Sequence, residues 1–199
     1  VLNRLTNVNY VGSSSENVTI TYDSCTNGIG KVCSISDGSG TQSYIYDSKG
    51  RLSMKNYTNG TFSKTVAYSY NNNGQLSGIT YPSGKMVMYN YINDKISSLS
   101  YTDNSITTDI ATNITYEAFN PRLSSFTWGN AATYNQSFTA DGVISSINAA
   151  NAYPVNKSYG YDSRFNITSI TEAGNSARSS TATYDSMSRI NNYSYGTGN

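Results

Sequence analysis

The sequence predicts an all-β chain assembled as a tandem array of short hairpins. Three observations carry that prediction. One phrase, Tyr44-Ile45-Tyr46-Asp47-Ser48-Lys49-Gly50-Arg51-Leu52, recurs in worn copies along the chain, with its second aromatic at Tyr22, Tyr46, Tyr70, Tyr91, Tyr116, Phe138, Tyr161 and Tyr184. These anchors are 21 to 25 residues apart, the period of a solenoid or repeat array. The composition agrees: only 13% of residues are charged, there are 19 tyrosines, and Ser, Thr and Asn make up roughly two-fifths of the chain. Tyr and Thr suit a pleated, half-buried surface, whereas Asn, Ser and Gly suit turns.

Each copy reads as two strands and two turns. The Tyr-x-Tyr pairs (Tyr44/Tyr46, Tyr68/Tyr70, Tyr89/Tyr91, Tyr159/Tyr161) put both rings on one face, because strand side chains alternate. A turn rich in Asp, Asn and Gly follows, as at Asp47 to Gly50, Asn71 to Gly74 and Asp141-Gly142. Then comes a pair of apolar residues three apart: Val32/Ile35, Leu76/Ile79, Ile96/Leu99, Leu123/Phe126, Ile144/Ile147 and Ile167/Ile170. Strict alternation would send the two members to opposite faces, so the spacing predicts a bulge or bend that brings both inward. A helix is excluded, since the runs are short and rich in Ser, Thr and Gly. Second turns at Asp37-Gly38, Asn59-Gly60 and Tyr81-Pro82-Ser83-Gly84 connect the copies, and the loosest joins fall at Ser13 to Ser15 and at 149–152. The expected organisation is a single array over 1–199 of about eight repeats, beginning with a partial repeat at 1–10 and belonging to a larger protein.

Most chemistry is excluded by the residues at hand. The chain has no His, hence no ordinary general base or neutral metal ligand, and no enzyme activity, metal or cofactor is expected. A net charge of +1 without a basic cluster argues against nucleic acid. No apolar run approaches the roughly 18 residues of a membrane span. Asp23, Asp47, Asp162 and Asp185 each follow an anchor, which admits a carboxylate ladder for Ca²⁺ or four caps on four turns; Asn71 and Asn90 in the same place favour the caps. Gly28-Ile29-Gly30-Lys31 lacks the spacing of a phosphate loop and reads as a turn. Cys25 and Cys33 either pair across a hairpin or stay as buried thiols; pairing is expected in an oxidising space. Trp128 and Phe126 fall on one face, available either to sugar rings or to packing within the sheet.

The pattern Tyr-x-Tyr-Asp-x-x-Gly-Arg-Leu-x-x-Ile/Val resembles the YD repeat of Rhs proteins, insecticidal toxin-complex shells and teneurins, with Tyr44 to Leu52 and Ile79 to Gly84 the most specific segments. The resemblance implies a long strip of β-sheet that spirals into a hollow, β-solenoid-like shell. In the toxin members that shell encloses a cytotoxic C-terminal segment; in teneurins and wall-associated relatives it is an extracellular scaffold. The resemblance therefore implies a structural wall of a secreted or cell-surface bacterial protein, whose partners are the rest of the parent shell and a C-terminal toxin cargo. The alternative from the residues is an adhesin or glycan-binding repeat module. Open sheet edges also invite end-to-end self-association.

Overall fold

The computed structural model describes residues 3–150 and 155–196, so the expected loop at 149–152 and the outermost residues of the array lie partly outside the described residues. The chain is all-β, and its strands follow one another in a single antiparallel sheet. They are β1 (Asn7–Val8), β2 (Val18–Tyr22), β3 (Val32–Asp37), β4 (Gly40–Tyr46), β5 (Leu52–Asn59), β6 (Phe62–Tyr70), β7 (Leu76–Thr80), β8 (Met86–Ile92) and β9 (Lys95–Asp103). They continue as β10 (Ile106–Tyr116), β11 (Leu123–Trp128), β12 (Thr133–Phe138), β13 (Ile144–Ala149), β14 (Val155–Tyr161), β15 (Ile167–Glu172), β16 (Ser180–Tyr184) and β17 (Ile190–Tyr195). Two single turns of 3-10 helix, Ser14–Glu16 and Ser176–Arg178, are the only helical elements among the described residues. Two compact units divide the chain, 1–90 with 100–108 and 91–99 with 109–199.

In the first unit, β2 to β7 show how the three-residue spacing is built. Tyr70 lies opposite Leu76 and Tyr68 opposite Ile79, with Ser77 as the extra residue of a bulge between them. Tyr46 likewise faces Leu52 and Tyr44 faces Lys55, around a bulge at Ser53. Tyr22 faces Val32 and Ile20 faces Ile35, around Cys33. A bulge lets two residues on one strand oppose one on the other, so positions i and i+3 come to the same face. The second unit repeats the device at β12–β13, β14–β15 and β16–β17: Phe138 faces Ile144, Tyr161 faces Ile167 and Tyr184 faces Ile190. One face of each unit therefore carries the rings and the apolar pairs.

The opposite face carries hydroxyl and amide rows, beside an apolar row of Ile45, Met54 and Ala67 in the first unit. In the first unit Thr21, Ser34, Ser43, Asn56 and Thr65 line up strand after strand, and Ser36, Thr41, Thr58 and Ser63 form a parallel row. Side-chain hydrogen bonds tie these rows, Thr21 to Ser34 at 2.7 Å, Ser36 to Thr41 at 2.9 Å and Thr65 to Asn56 at 2.8 Å. The second unit has an equivalent row in Thr115, Ser125, Asn135, Asn148 and Asn156. Among the described residues the only buried apolar side chains are Cys33 (4% exposed) and Ala111 (5%). The ring face is thus half-covered, as one layer of sheet must leave it.

The turns explain the Gly-rich phrase. At Asp47 to Arg51, the Gly50 N–H donates to the Asp47 carbonyl at 2.8 Å and the Asp47 N–H to the Arg51 carbonyl at 2.8 Å. This is a type I turn closed by a left-handed residue. The same pattern recurs at Asn71–Gln75, Tyr81–Lys85, Trp128–Ala132, Thr139–Val143, Asp162–Asn166 and Asp185–Arg189. The left-handed position is Gly50, Gly74, Gly84 and Gly142 in four of them, at φ +74° to +86°, but Ala131 (+65°), Phe165 (+62°) and Ser188 (+60°) in the others. Asn93-Asp94 and Asn104-Ser105 instead make two-residue turns with both φ values positive.

A Cβ at Gly84 would meet no atom within 4 Å, so that position isolates the cost of the backbone angle. Gly84→Ala is expected to lower stability by about 1 kcal/mol and Ala131→Gly to raise it by up to about 1 kcal/mol. Denaturant titration of the two variants against the parent chain checks both signs.

Candidate functional site

The recurrent feature of the described residues is the joint between successive hairpins. It starts from the anchor phenol. The hydroxyl of each of five anchors donates to a backbone carbonyl of the preceding repeat, which for four of them opens the preceding return strand. The acceptors are Leu5 for Tyr22 (2.8 Å), Val32 for Tyr46 (2.7 Å), Leu52 for Tyr70 (2.8 Å), Ile144 for Tyr161 (2.7 Å) and Ile167 for Tyr184 (2.8 Å). Phe138 has no hydroxyl to offer. Tyr91 lies one residue before the end of β8, and Tyr116 ends β10. Burial pushes the phenols of Tyr46, Tyr70 and Tyr161 above their ordinary range, so these rings are partly withdrawn from water.

A cation completes the joint. Arg4 lies 4.4 Å over Tyr22, Lys31 5.3 Å over Tyr46, and Arg51 4.2 Å over Tyr70. In the second unit Lys95 lies 5.3 Å over Tyr116 and Arg122 4.0 Å over Phe138. Each such contact contributes on the order of 0.5–1 kcal/mol at a half-exposed site. Three of these cations then reach the turn glycine of the following hairpin. A Cβ at Gly50 would lie 3.2 Å from Lys31 Cε, one at Gly74 3.5 Å from Arg51 Nη1, and one at Gly142 3.1 Å from Arg122 Nη1. Arg122 also donates to the Gly142 carbonyl. Where the left-handed residue is Ser188, the joint residue is Asn166, whose amide donates to Ser188 Oγ at 3.1 Å.

The role of these cations went unread in the sequence, although a signal was there. A basic residue immediately precedes the apolar return strand in Arg4-Leu5, Lys31-Val32, Arg51-Leu52, Lys95-Ile96 and Arg122-Leu123.

The carboxylates serve their own turns. Asp47 Oδ1 accepts the Lys49 and Arg51 N–H groups at 2.9 and 2.8 Å, while Oδ2 accepts Arg51 Nε at 2.7 Å. Asp162 and Asp185 repeat the arrangement with Arg164 and Asn166 and with Met187 and Arg189. Asp23 accepts the Gly30 N–H at 2.7 Å and is ion-paired with Arg4. The Arg4 guanidinium first, and the Gly30 N–H second, hold the Asp23 carboxyl down to about 2. The Arg51 side chain lowers Asp47, the Asn166 amide lowers Asp162, and the Arg189 N–H lowers Asp185. Among the described residues no three His, Cys, Asp or Glu side chains gather as metal ligands.

Cys25 and Cys33 are disulfide-bonded, with Cα atoms 5.3 Å apart. The bond closes the long turn between Asp23 and Lys31, and Gly28 lies against both sulfurs with no room for a Cβ. Phe126 stacks on Tyr134 at 5.0 Å and meets the edge of Trp128 at 4.6 Å, so both residues pack within the sheet. Glu172 is a group that no sequence pattern announced: at 5% exposure it is buried at the end of β15, beside Arg178 (3.0 Å) and Lys157 (3.9 Å). No described helix is long and apolar enough to cross a membrane.

Two outcomes follow from the joint. Tyr46→Phe should cost about 1 kcal/mol, the hydrogen bond alone, and Tyr46→Ala about 2–3 kcal/mol, below the fully buried aromatic because the ring is half-covered; equal losses in thermal unfolding would refute the separation. The lowered aspartates give a definite sign with pH. Their folded pKa values lie below the unfolded value of about 3.9, so their contribution is full above that value and is lost as pH falls toward about 2. The melting temperature should therefore drop through that window, and less steeply in Asp47→Asn.

Comparison with known proteins bears on the same repeat. The sequence model of the teneurin YD-shell family matches residues 3–101. No curated protein matches the chain by sequence. Crystal structures of TcdB2-TccC3-Cdc42, of TcdB2-TccC3, and of TcdB2-TccC3 without its hypervariable C-terminal region share the fold, with TM-scores of 0.78, 0.78 and 0.77 at 15% identity. Each match covers 94% of this chain, which spans 11% of the length of each of those chains. Joined to the tyrosine–aspartate turns and ring joints described above, these matches identify the YD-shell repeat over residues 3–101 and the fold of the TcdB2-TccC3 chains over 94% of the chain.

Proposed function

We propose that the chain is a non-catalytic length of shell wall from an exported bacterial protein, and that the wall encloses or presents another segment of its parent. One observation carries this reading. The ring face of each unit gathers the anchors and the apolar pairs, yet only Cys33 and Ala111 are buried apolar residues among those described. A single layer that leaves its apolar face half-covered is suited to lie against something else. The disulfide supports folding in an oxidising space. The toxin-complex neighbours support a toxin segment as the thing enclosed, and the rest of the parent shell as the wall's continuation. The Phe126–Trp128 contact engages rings that a glycan would need free, so the adhesin reading gains nothing from it.

The test is to express the complete reading frame around these residues and follow limited proteolysis of the segments flanking the array. Protection of a downstream segment that becomes labile when the array is deleted is the expected result. Digestion at the same rate with and without the array would overturn the enclosing role.

A further inference from the structure

The cations of this chain can be accounted for one by one, and one stands apart. Of the 13 lysines and arginines, eight are ion-paired: Arg4, Arg51, Lys85, Arg122, Lys157, Arg164, Arg178 and Arg189. Lys31, Lys64 and Lys95 lie over aromatic rings. Lys49 projects from an exposed turn. Lys55 alone is half-buried with neither a carboxylate nor a ring beneath it among the described residues.

Its position is unusual too. The place three residues after the first apolar residue of the return strand holds Ile35, Ile79, Ile147 or Ile170 elsewhere, but here it holds Lys55. The bulge at Ser53 turns it onto the ring face, between Tyr44 on β4 and Val66 on β6. In the second unit, Lys157 on the same kind of face lies directly across from Glu172. A half-buried lysine lays its apolar stem on the rings and keeps its ammonium at the water boundary, where an incoming anion can meet it, and among the described residues of the first unit no carboxylate pairs with Lys55.

We infer that the ring face over β4 to β6 is a docking surface for an acidic, extended peptide segment. This names the chemistry of the enclosed segment, and so rests on the enclosing reading. The occupant follows from charge and from spacing. Lys64, over Phe62 at 5.5 Å, pairs across with Tyr57, and is therefore the diagonal neighbour of Lys55 on the adjacent strand. Diagonal neighbours lie about 7–8 Å apart, close to the roughly 6.6–6.8 Å between side chains i and i+2 of an extended strand. Two carboxylates at alternate positions of such a segment match the two ammonium groups. The rings of Tyr44 and Tyr57 flank them, and the hydroxyl of each is already engaged, by Gln42 and by the Ser39 carbonyl respectively. What they present is ring surface, against which the aliphatic stems of glutamates pack.

The test titrates the full chain at low salt with three eight-residue peptides, (Glu-Ser)4, (Gln-Ser)4 and (Lys-Ser)4, following heat and tyrosine signals. Only (Glu-Ser)4 is expected to bind. Lys55→Gln should weaken it about tenfold and Lys64→Gln several-fold, whereas Lys49→Gln, a charge loss outside the face, should change it less than about twofold. Circular dichroism confirms that each variant is folded, and Lys64→Gln gives a second reading if Lys55→Gln is not. Equal loss in all three variants would mean diffuse attraction and overturn the site. Equal binding of (Gln-Ser)4 would overturn the acidic class while leaving the enclosing wall in place. Absence of binding by every peptide would overturn the docking surface itself.

Discussion

One extra residue per return strand decides what this chain can be. Without the bulge at Ser77, Leu76 and Ile79 would point to opposite faces and neither side would be apolar enough to hold neighbours together. With it, Leu76 meets Tyr70 and Ile79 meets Tyr68, and the same alignment gives Tyr161 to Ile167 and Tyr159 to Ile170. The bulge residues are mostly small and hydroxylated, as at Ser53, Ser77, Ser145 and Thr168, and Ser53 uses its hydroxyl to donate to the Ile45 carbonyl at 3.1 Å. Cys33 holds the equivalent position in the first full hairpin and commits it to a disulfide.

Given that alignment, stability is distributed along the array. No side chain is fully buried among the described residues, so no central core dominates the balance. The joints instead draw on phenol-to-carbonyl hydrogen bonds, cations over rings and capped turns, each on the order of 1 kcal/mol, with the first two combined at Tyr22, Tyr46 and Tyr70. Arg51 takes part in two of these at once, clasping Asp47 of its own turn while lying over Tyr70 of the next hairpin. A substitution there therefore touches both the turn and the joint. Interdependence of this kind resists local opening while one face stays half-bare.

Much of this was legible in the sequence because it is written in periodic terms. Paired tyrosines, an Asp-to-Gly turn and an apolar pair three apart suffice for an antiparallel array with a recurrent bulge. The turn aspartates were readable for the same reason, since Asn71 makes the Asp47 turn without a charge. What escaped is long in sequence and short in space. The Tyr70 phenol finds Leu52 and the Arg51 guanidinium finds Gly74 only after the register is set, and the sequence shows merely a basic residue beside an apolar one. Glu172 gave no signal, because its burial depends on a loop folding back between Ala173 and Ser179. Lys55 was hidden differently: one charge at one copy of an otherwise apolar position reads as drift until its neighbours are known.

The joint also bears on how such arrays can lengthen. Its two halves belong to different copies, a cation in one turn and the glycine beneath it in the next, as in Lys31 with Gly50 or Arg122 with Gly142. A duplication that copies a single hairpin keeps register only if the newcomer offers glycine backward and a cation forward. The Asn166–Ser188 join uses a different pair of complementary ends, so a hairpin inserted there would meet a hydroxyl where others meet bare backbone. Inheritance along the array is therefore phased: the segment that can be copied without loss starts within one turn and stops within the next.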